Sequence, residues 1–195
     1  MSNLAREIIN GVGYGQPRKE LINGIWCMAP RPDFSHFSVG INLFRKFDRH
    51  LHGKNCRALP DGLEVHLSDT EIFIPDFLVV CNPDIIKKKG IFGPPDLVAE
   101  ILSPRSSKRD KILKFNAYEK YGVKEYWIID IKNKSIEVYV LEDGKYRLDN
   151  EYMVYPEDEI EDMTEAEKAD IVYEFKTSLF DDFTIDIREI FEDIP

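Results

Sequence analysis

The chain has 195 residues, 43% hydrophobic and 12% aromatic, which is enough to bury one sizeable core. Its 36 acidic and 26 basic residues give a formal net charge of −10 at pH 7, which on its own argues against a polyanionic partner. No apolar stretch approaches the roughly 20 residues of a membrane-spanning helix, and no signal-peptide pattern opens the sequence, so we expect a cytoplasmic protein without a membrane segment.

The first segments predict an arm followed by a hairpin. Residues 1 to 18 are rich in glycine and have no apolar period, which indicates an arm in front of a single domain over residues 19 to 195. The dipeptide Asn23-Gly24 lies between two short apolar runs, a pattern typical of a β-hairpin, here over residues 20 to 28.

A helix and a group of strands follow. Asp33 or Ser35 can cap a helix that runs to about Leu51, because apolar residues recur there at helical spacing. Beyond it, short apolar segments separated by turn residues predict three strands, over residues 55 to 59, 62 to 67 and 71 to 81.

The second half alternates loops, strands and helices. Residues 82 to 95 read as a loop with a lysine triplet, and an apolar strand follows over residues 96 to 102. A helix is predicted from about residue 108 to 121, ended by Gly122. Further strands are predicted at 123 to 131, 135 to 141 and 145 to 148, and the acidic remainder predicts a short helix at 164 to 170, a strand at 171 to 175 and a packed segment at 185 to 191. This order describes an α/β fold with one mixed β-sheet flanked by helices, with extra edge strands and hairpins.

The three cysteines are widely spaced and odd in number, and none belongs to a CxxC pair. Such a set is neither a disulfide framework nor a zinc cluster, so we expect Cys27, Cys56 and Cys81 to be buried free thiols.

The charge is distributed unevenly along the chain. Residues 142 to 195 hold 19 acidic and five basic residues, which leaves 17 acidic and 21 basic residues in the part before them. Within residues 87 to 124 there are ten basic and four acidic residues, and this segment surrounds Glu100. A local positive field is compatible with a phosphate-bearing substrate, although lysines that merely coat exposed loops are equally common.

Two carboxylates lie in the middle of apolar strands, Asp76 within residues 72 to 80 and Glu100 within residues 96 to 102. A charge flanked by strand-forming hydrophobic residues costs several kcal/mol unless it is paired. Neither acid has a charged neighbour on its own side of the strand, so its partners must come from other elements, and a bound cation would serve.

The predicted helix at 108 to 121 offers such a partner. One of its sides collects residues at helical spacing, namely Asp110, Lys114, Ala117, Tyr118 and Tyr121. If this side faces the sheet, Lys114 reaches toward the carboxylates and Tyr118 lies one turn further. Two carboxylates completed by water suit Mg²⁺ or Mn²⁺, both of which favour oxygen ligands.

At these residues the chain resembles a known family, the Uma-type "putative restriction endonucleases" of the PD-(D/E)XK nuclease superfamily. The likeness covers about residues 18 to 193 and includes the opening hairpin, which begins at Glu20. It is carried by an ordered set of motifs: Ile74-Pro-Asp76, Gly93-Pro-Pro-Asp-Leu-Val-Ala-Glu100-Ile-Leu-Ser-Pro104, Arg109-Asp110, Lys114, Tyr118 and Gly122-Val-Lys-Glu-Tyr-Trp-Ile-Ile-Asp130.

The resemblance implies a restriction-endonuclease-like core in which Asp76 and Glu100 bind a divalent ion, Mg²⁺ or Mn²⁺, with the backbone carbonyl of Ile101 as a further ligand. The superfamily places a lysine two residues after the glutamate, where this chain has Leu102. In Uma-type relatives that role moves to the following helix, which is where Lys114 lies.

Four residues are accessory candidates. Glu64 is either a third acid at the site or a surface glutamate, and Arg109 either meets a phosphate or faces solvent. The resemblance places His36 near the site, although capping of its helix is the competing interpretation, and Tyr118 accompanies Lys114.

The sequence therefore favours a metal-dependent endonuclease acting on nucleic acid, most readily DNA, with a homodimer as the natural assembly for cutting two strands. The rival is a catalytically silent module that keeps the fold and binds nucleic acid or protein. A metal-dependent hydrolase acting on another phosphorylated molecule is a third alternative.

Overall fold

The computed structural model describes residues 18–29, 31–102 and 110–194, and these form two six-stranded sheets, one two-stranded sheet and five α-helices. The strands are β1 (Lys19–Ile22), β2 (Ile25–Met28), β3 (Arg57–Pro60), β4 (Val65–Ser68), β5 (Glu71–Phe73), β6 (Phe77–Val80), β7 (Ile86–Lys87), β8 (Gly90–Phe92), β9 (Leu97–Ile101), β10 (Glu125–Asp130), β11 (Ser135–Glu142), β12 (Lys145–Met153), β13 (Glu174–Lys176) and β14 (Thr184–Asp186). The helices are α1 (Phe34–Leu51), α2 (Phe115–Tyr121), α3 (Glu157–Asp162), α4 (Glu165–Ala169) and α5 (Ile187–Ile190). The predicted α/β class is confirmed. The N-terminal arm lies outside the described residues except for Arg18, so the division into an arm and one domain stays a prediction.

The prediction of a single mixed sheet is wrong, because the apolar segment over residues 71 to 81 is broken at Pro75. Its first part, β5, belongs to sheet one, which has the order β2-β1-β5-β4-β8-β7. Its second part, β6, belongs to sheet two, which has the order β12-β11-β10-β9-β6-β3. Proline has no N–H to give to a ladder, so strand pairing does not continue through it. The chain crosses between the sheets at this point, and Asp76 lies at the junction.

One face of sheet two packs against α1. The helix begins at the predicted cap, where the Asp33 carboxylate accepts the His36 N–H at 2.9 Å. Val39, Leu43 and Phe47 of this helix are completely buried, and the Phe47 ring lies 5.0 Å from that of Phe77 and 5.8 Å from that of Trp127. No helix in the described part of the chain is both long and apolar enough to cross a membrane.

The other face of sheet two packs against α2 and sheet one. A second apolar cluster joins Phe73 and Ile91 of sheet one to Val98 and Ile128 of sheet two, with Tyr118 of α2 among them. Because β9 and β10 are parallel neighbours, the chain must return to the start of the sheet between them, and α2 lies within that connection.

Several local signals predicted their elements correctly. Asn23 and Gly24 both have positive φ, 51° and 76°, and form the turn between β1 and β2. Gly122 ends α2 with a φ of 85°, where the left-handed backbone favours glycine. Thr164 caps α4 through a reciprocal hydrogen-bonded pair with Glu167.

The segments on either side of β9 differ from the prediction. The expected loop over residues 82 to 95 contains the β7–β8 hairpin, which pairs with β4 through β8. The helix expected from residue 108 begins, within the described residues, as a π-helical turn at Asp110–Lys114 before α2. The β8 strand pairs with β4, and Lys114 in the π-helical turn contacts Glu100. Local periodicity does not predict contacts of this kind, because they join segments that are distant in the sequence.

The expectation of free thiols is wrong for two of the three cysteines. Cys56 and Cys81 form a disulfide, with their Cα atoms 3.9 Å apart, and Cys27 is free. The antiparallel register pairs Arg57 with Val80, so one further step brings the two cysteines opposite each other. The cytoplasmic location stays a prediction.

Candidate active site

Asp76 lies one residue before β6 and is 9% exposed. Its Oδ2 atom accepts the backbone N–H of Ile101 at 2.7 Å, and Nε2 of His36 lies 3.2 Å from the same oxygen. Continued by one residue, the antiparallel register of β6 and β9 places Asp76 across from Glu100. The carboxylate of Asp76 is therefore held beside the Glu100–Ile101 peptide.

Glu100 lies in β9 and is only 2% exposed. The ammonium of Lys114 donates to both of its oxygens, with Nζ at 2.9 Å from Oε1 and 2.8 Å from Oε2. The hydroxyl of Tyr118 donates to Oε1 at 2.8 Å. These contacts provide the partners that the sequence required for a charge in a buried strand.

The start of α2 explains why these two donors meet the same carboxylate. Lys114 ends the π-helical turn, and Tyr118 follows four residues later, so the two side chains share one side of the helix. Lys114, Ala117 and Tyr118 are all buried, which confirms that the predicted side faces the sheet. Tyr121 instead donates its hydroxyl to Ser68 at 2.9 Å.

Glu20 is a member of the cluster that the sequence analysis did not single out. It lies in β1, is 1% exposed, and its Oε1 is 2.9 Å from the Lys114 Nζ. The same oxygen accepts the backbone N–H of Ile74 at 2.9 Å, which ties β1 to the crossing between the sheets. The sequence did indicate that Glu20 would be buried, because Glu20 lies on the same side of the predicted hairpin strand as the apolar Ile22.

Among the described side chains of the cluster, carboxylates outnumber ammonium groups. Three buried carboxylates, Glu20, Asp76 and Glu100, face one buried ammonium, Lys114. Burial lowers the pKa of His36, but its hydrogen bond to Asp76 and the negative charge there outweigh burial, so the pKa is raised. Burial, followed by the Glu100 charge, holds the pKa of Tyr118 well above its ordinary value, so the phenol stays a hydrogen-bond donor at neutral pH.

The structure separates the accessory candidates. His36 joins the cluster through Asp76, and Tyr118 joins it through Glu100. Glu64 does not join it through any described contact, because its half-exposed carboxylate pairs with His66 at 3.0 Å, as the surface interpretation expected. Arg109 lies outside the described residues.

The residues present fit a divalent cation in charge and in ligand chemistry. Among the described residues, no group of three or more His, Cys, Asp and Glu side chains is arranged to hold a metal ion. Mg²⁺ does not need such a group, because it is held by one or two carboxylates and keeps several waters. Among the described side chains, three buried carboxylates stand against one buried ammonium, an arrangement that favours binding of a divalent ion.

Two mixed sheets, their flanking helices and a carboxylate–lysine cluster at the ends of adjoining strands define a restriction-endonuclease-like protein. A crystal structure from Anabaena variabilis, described as that of a putative nuclease belonging to DUF820, matches this fold with a TM-score of 0.68. The match covers 95% of this chain and 96% of that one, and at 18% identity the likeness concerns the fold.

The sequence comparisons give the family. The family model named Uma2, described as "Putative restriction endonuclease", matches residues 13–165. The chain belongs to this family. It is also 25% identical over 141 residues to the uncharacterized protein slr1290 of Synechocystis sp., in a match covering 71% of this chain and 74% of that protein.

Proposed function

We propose that this protein is a metal-dependent endonuclease that hydrolyses phosphodiester bonds in DNA. The observation that carries the proposal is the buried cluster in which Lys114 bridges Glu100 and Glu20 beside the carboxylate of Asp76. Membership of the Uma2 family supports a nuclease, as does the description of the Anabaena relative.

In this proposal Asp76, Glu100 and the backbone carbonyl of Ile101 hold Mg²⁺ or Mn²⁺. The bound ion supplies Lewis-acid polarisation of the phosphate and lowers the pKa of a coordinated water. The other roles in the reaction fall to side chains of the protein. Lys114 orients the attacking water or offsets the negative charge that develops on the five-coordinate phosphorus.

The supporting residues fix these groups in place. Glu20 and Tyr118 restrict the Lys114 ammonium and the Glu100 carboxylate to one arrangement, and His36 donates to Asp76 when its Nε2 carries a proton. Such preorganisation lowers the cost of rearranging charged groups during the reaction. Two copies of the chain in a homodimer would present two such sites to the two strands of a duplex.

A nicking assay tests the proposal. Supercoiled plasmid is incubated with Mg²⁺ or Mn²⁺ and with wild type, Asp76→Asn, Glu100→Gln or Lys114→Met, each checked for a native circular dichroism spectrum. We expect each folded variant to lose at least about 100-fold in nicking rate. Glu64→Gln is the matched control and should nick like wild type.

The outcomes separate the proposal from its rival. Equal nicking by wild type and Asp76→Asn would overturn the site and point to a contaminating nuclease. A wild-type protein that binds DNA but does not cut it with any divalent ion would favour the catalytically silent binding module.

A further inference from the structure

The tip of the β7–β8 hairpin presents three consecutive lysines, Lys87, Lys88 and Lys89. All three residues are exposed. Among the side chains that the structure describes, none of the three ammoniums has a carboxylate partner within 4.0 Å. In a chain of net charge −10, three adjacent lysines without paired carboxylates form a local positive surface that the composition as a whole does not explain. We call this element the lysine hairpin.

The backbone of the lysine hairpin is held closely against β4. The N–H of Ile91 donates to the carbonyl of Glu64 at 2.8 Å, and the N–H of Gly93 donates to that of His66 at 3.0 Å. Gly90 has a φ of 150°, and a Cβ at this position would lie 2.5 Å from the Glu64 carbonyl oxygen. Only glycine allows this approach, so the lysines are presented by a backbone fixed to the sheet rather than by a loose loop.

The strand register decides which end of sheet one carries the lysines. Leu21 of β1 pairs with Ile72 of β5, so Glu20 lies at the end of the sheet where β5 leads into Ile74. β4 is antiparallel to β5 and β8 is parallel to β4, so both of these strands begin at that same end. The turn in front of β8 holds Lys88 and Lys89, and it therefore projects from the end of the sheet at which the Glu20–Lys114 cluster lies.

The spacing suits a nucleic-acid backbone. β8 is three strands away from β1, which corresponds to about 14 Å at the usual separation of neighbouring strands. Phosphates of one strand rise by about 3.4 Å per nucleotide along the duplex axis and also wind around it, so a direct distance of about 14 Å spans only a few nucleotides. A backbone bound along this end of the sheet would reach the cluster and the lysines together.

We propose that the lysine hairpin binds the phosphate backbone of the nucleic-acid substrate a few nucleotides from the bond that is cut. This inference rests on the proposed nuclease function and adds the surface that holds the substrate. The contact is electrostatic and independent of base sequence, because lysine ammoniums on a hairpin tip meet phosphates without reading base edges.

The test compares DNA binding over a range of salt concentrations. Lys87→Gln/Lys88→Gln/Lys89→Gln is measured against a labelled duplex of about 20 base pairs by fluorescence anisotropy, with both it and its parent carrying Asp76→Asn to prevent cleavage. Counterion release predicts a slope of log affinity against log salt of about −0.9 for each phosphate contacted. We expect the triple variant to lose two to three contacts, and at least tenfold in affinity at low salt.

A matched control removes the same charge elsewhere. Lys120, Lys124 and Lys145 lie near the opposite end of sheet two from Glu100, since Lys124 precedes β10 and Lys145 begins β12. Replacing these three lysines by glutamine should leave the salt slope of the Asp76→Asn parent unchanged. A single-stranded oligonucleotide of equal length measures whether the hairpin needs the duplex.

The results distinguish failure of the inference from failure of the proposed function. If the Asp76→Asn parent binds DNA and the hairpin variant binds with the same affinity and slope, or if the control variant loses as much, the lysine hairpin is not the contact. If wild type neither binds nor cuts any nucleic acid, the proposed function itself fails and the inference fails with it.

Discussion

Lys114 and Glu100 are joined by two hydrogen bonds, of 2.9 and 2.8 Å, although 14 residues separate them and both are almost fully buried. The same ammonium lies 2.9 Å from Glu20, so one positive charge serves two buried carboxylates from different sheets. The arrangement ties α2, β9 and β1 together at one point.

Removing the ammonium should destabilise the fold strongly. Lys114→Met removes a buried ammonium that contacts both Glu20 and Glu100, and we expect a loss of about 3–5 kcal/mol in the free energy of unfolding measured in urea. Lys124→Met is the control, because Lys124 is largely exposed beside Asp96 and its loss should cost about 1 kcal/mol or less. An Lys114→Met protein as stable as wild type would show that the pair does not stabilise the fold.

The hydroxyl of Tyr118 should matter for both stability and rate. Tyr118→Phe removes a buried donor to Glu100, which should cost about 1.5–3 kcal/mol because the acceptor is charged. We also expect slower plasmid nicking, since the carboxylate loses one restraint. Tyr121→Phe, which removes a half-buried hydrogen bond to Ser68, should cost about 1 kcal/mol and leave nicking unchanged. Equal effects of the two substitutions would contradict this assignment.

Binding of a divalent ion should raise the melting temperature. At a free Mn²⁺ concentration one hundred times the Kd, a folded-state site adds about 2.7 kcal/mol of stability. Thermal unfolding should respond to Mn²⁺ in wild type and in Glu64→Gln, and the shift should disappear in Asp76→Asn and Glu100→Gln. An unchanged shift in Asp76→Asn would place the ion elsewhere.

A buried glutamate away from the site should give a recognisable pH dependence. Glu125 accepts the Trp127 indole N–H at 2.7 Å and both the N–H and the hydroxyl of Ser178, at 2.7 and 2.6 Å. Burial raises the pKa of Glu125, and these hydrogen bonds oppose it only in part. The folded state therefore favours the protonated form, so the contribution of Glu125 to stability falls as pH rises from the unfolded value, near 4.3, through the folded one.

The experiment compares urea unfolding between pH 4 and 7. The stability difference between wild type and Glu125→Gln should decrease as pH rises across that window and become constant above it. Glu167→Gln is a control of opposite sign, because hydrogen bonds from Thr164 lower the pKa of Glu167. Its contribution should be present above the unfolded pKa and be lost as pH falls through the folded one, so this variant is also measured down to about pH 3. A difference for Glu125 that increases with pH would contradict the assignment.

The disulfide should be detectable chemically. Without reductant we expect one titratable thiol per chain in denaturant, Cys27, and three after reduction. Cys56 and Cys81 are 25 residues apart, a loop whose closure is worth about 3 kcal/mol, so reduction should lower the unfolding free energy by that amount. The Cys27→Ser protein keeps the disulfide, so reduction should lower its unfolding free energy as in wild type. The Cys56→Ser protein has no disulfide, so its unfolding free energy should be lower from the start and should not change on reduction.

Much of the local structure could be predicted from short patterns. The Asn23-Gly24 turn, the Asp33 cap and the Gly122 stop are each determined by the backbone preferences of one or two residues, and the structure has all three. Asp76 and Glu100 could be singled out because burying a charge in an apolar strand costs free energy. The neighbouring residues in the sequence are enough to recognise such a charge. Helical spacing likewise indicated that Lys114 and Tyr118 share one side.

The contacts between distant segments were decided by the tertiary structure alone. The division into two sheets at Pro75, the β7–β8 hairpin and the disulfide all depend on which strands pair, and strand pairing links residues far apart in the chain. Glu20 is the clearest case at the site, since it joins the cluster through the ammonium of Lys114, which is 94 positions away in the sequence. Neighbouring residues in the sequence indicate which charged side chains need partners, because they show where a charge will be buried, whereas the pairing of distant strands in the folded chain sets which partners those side chains meet.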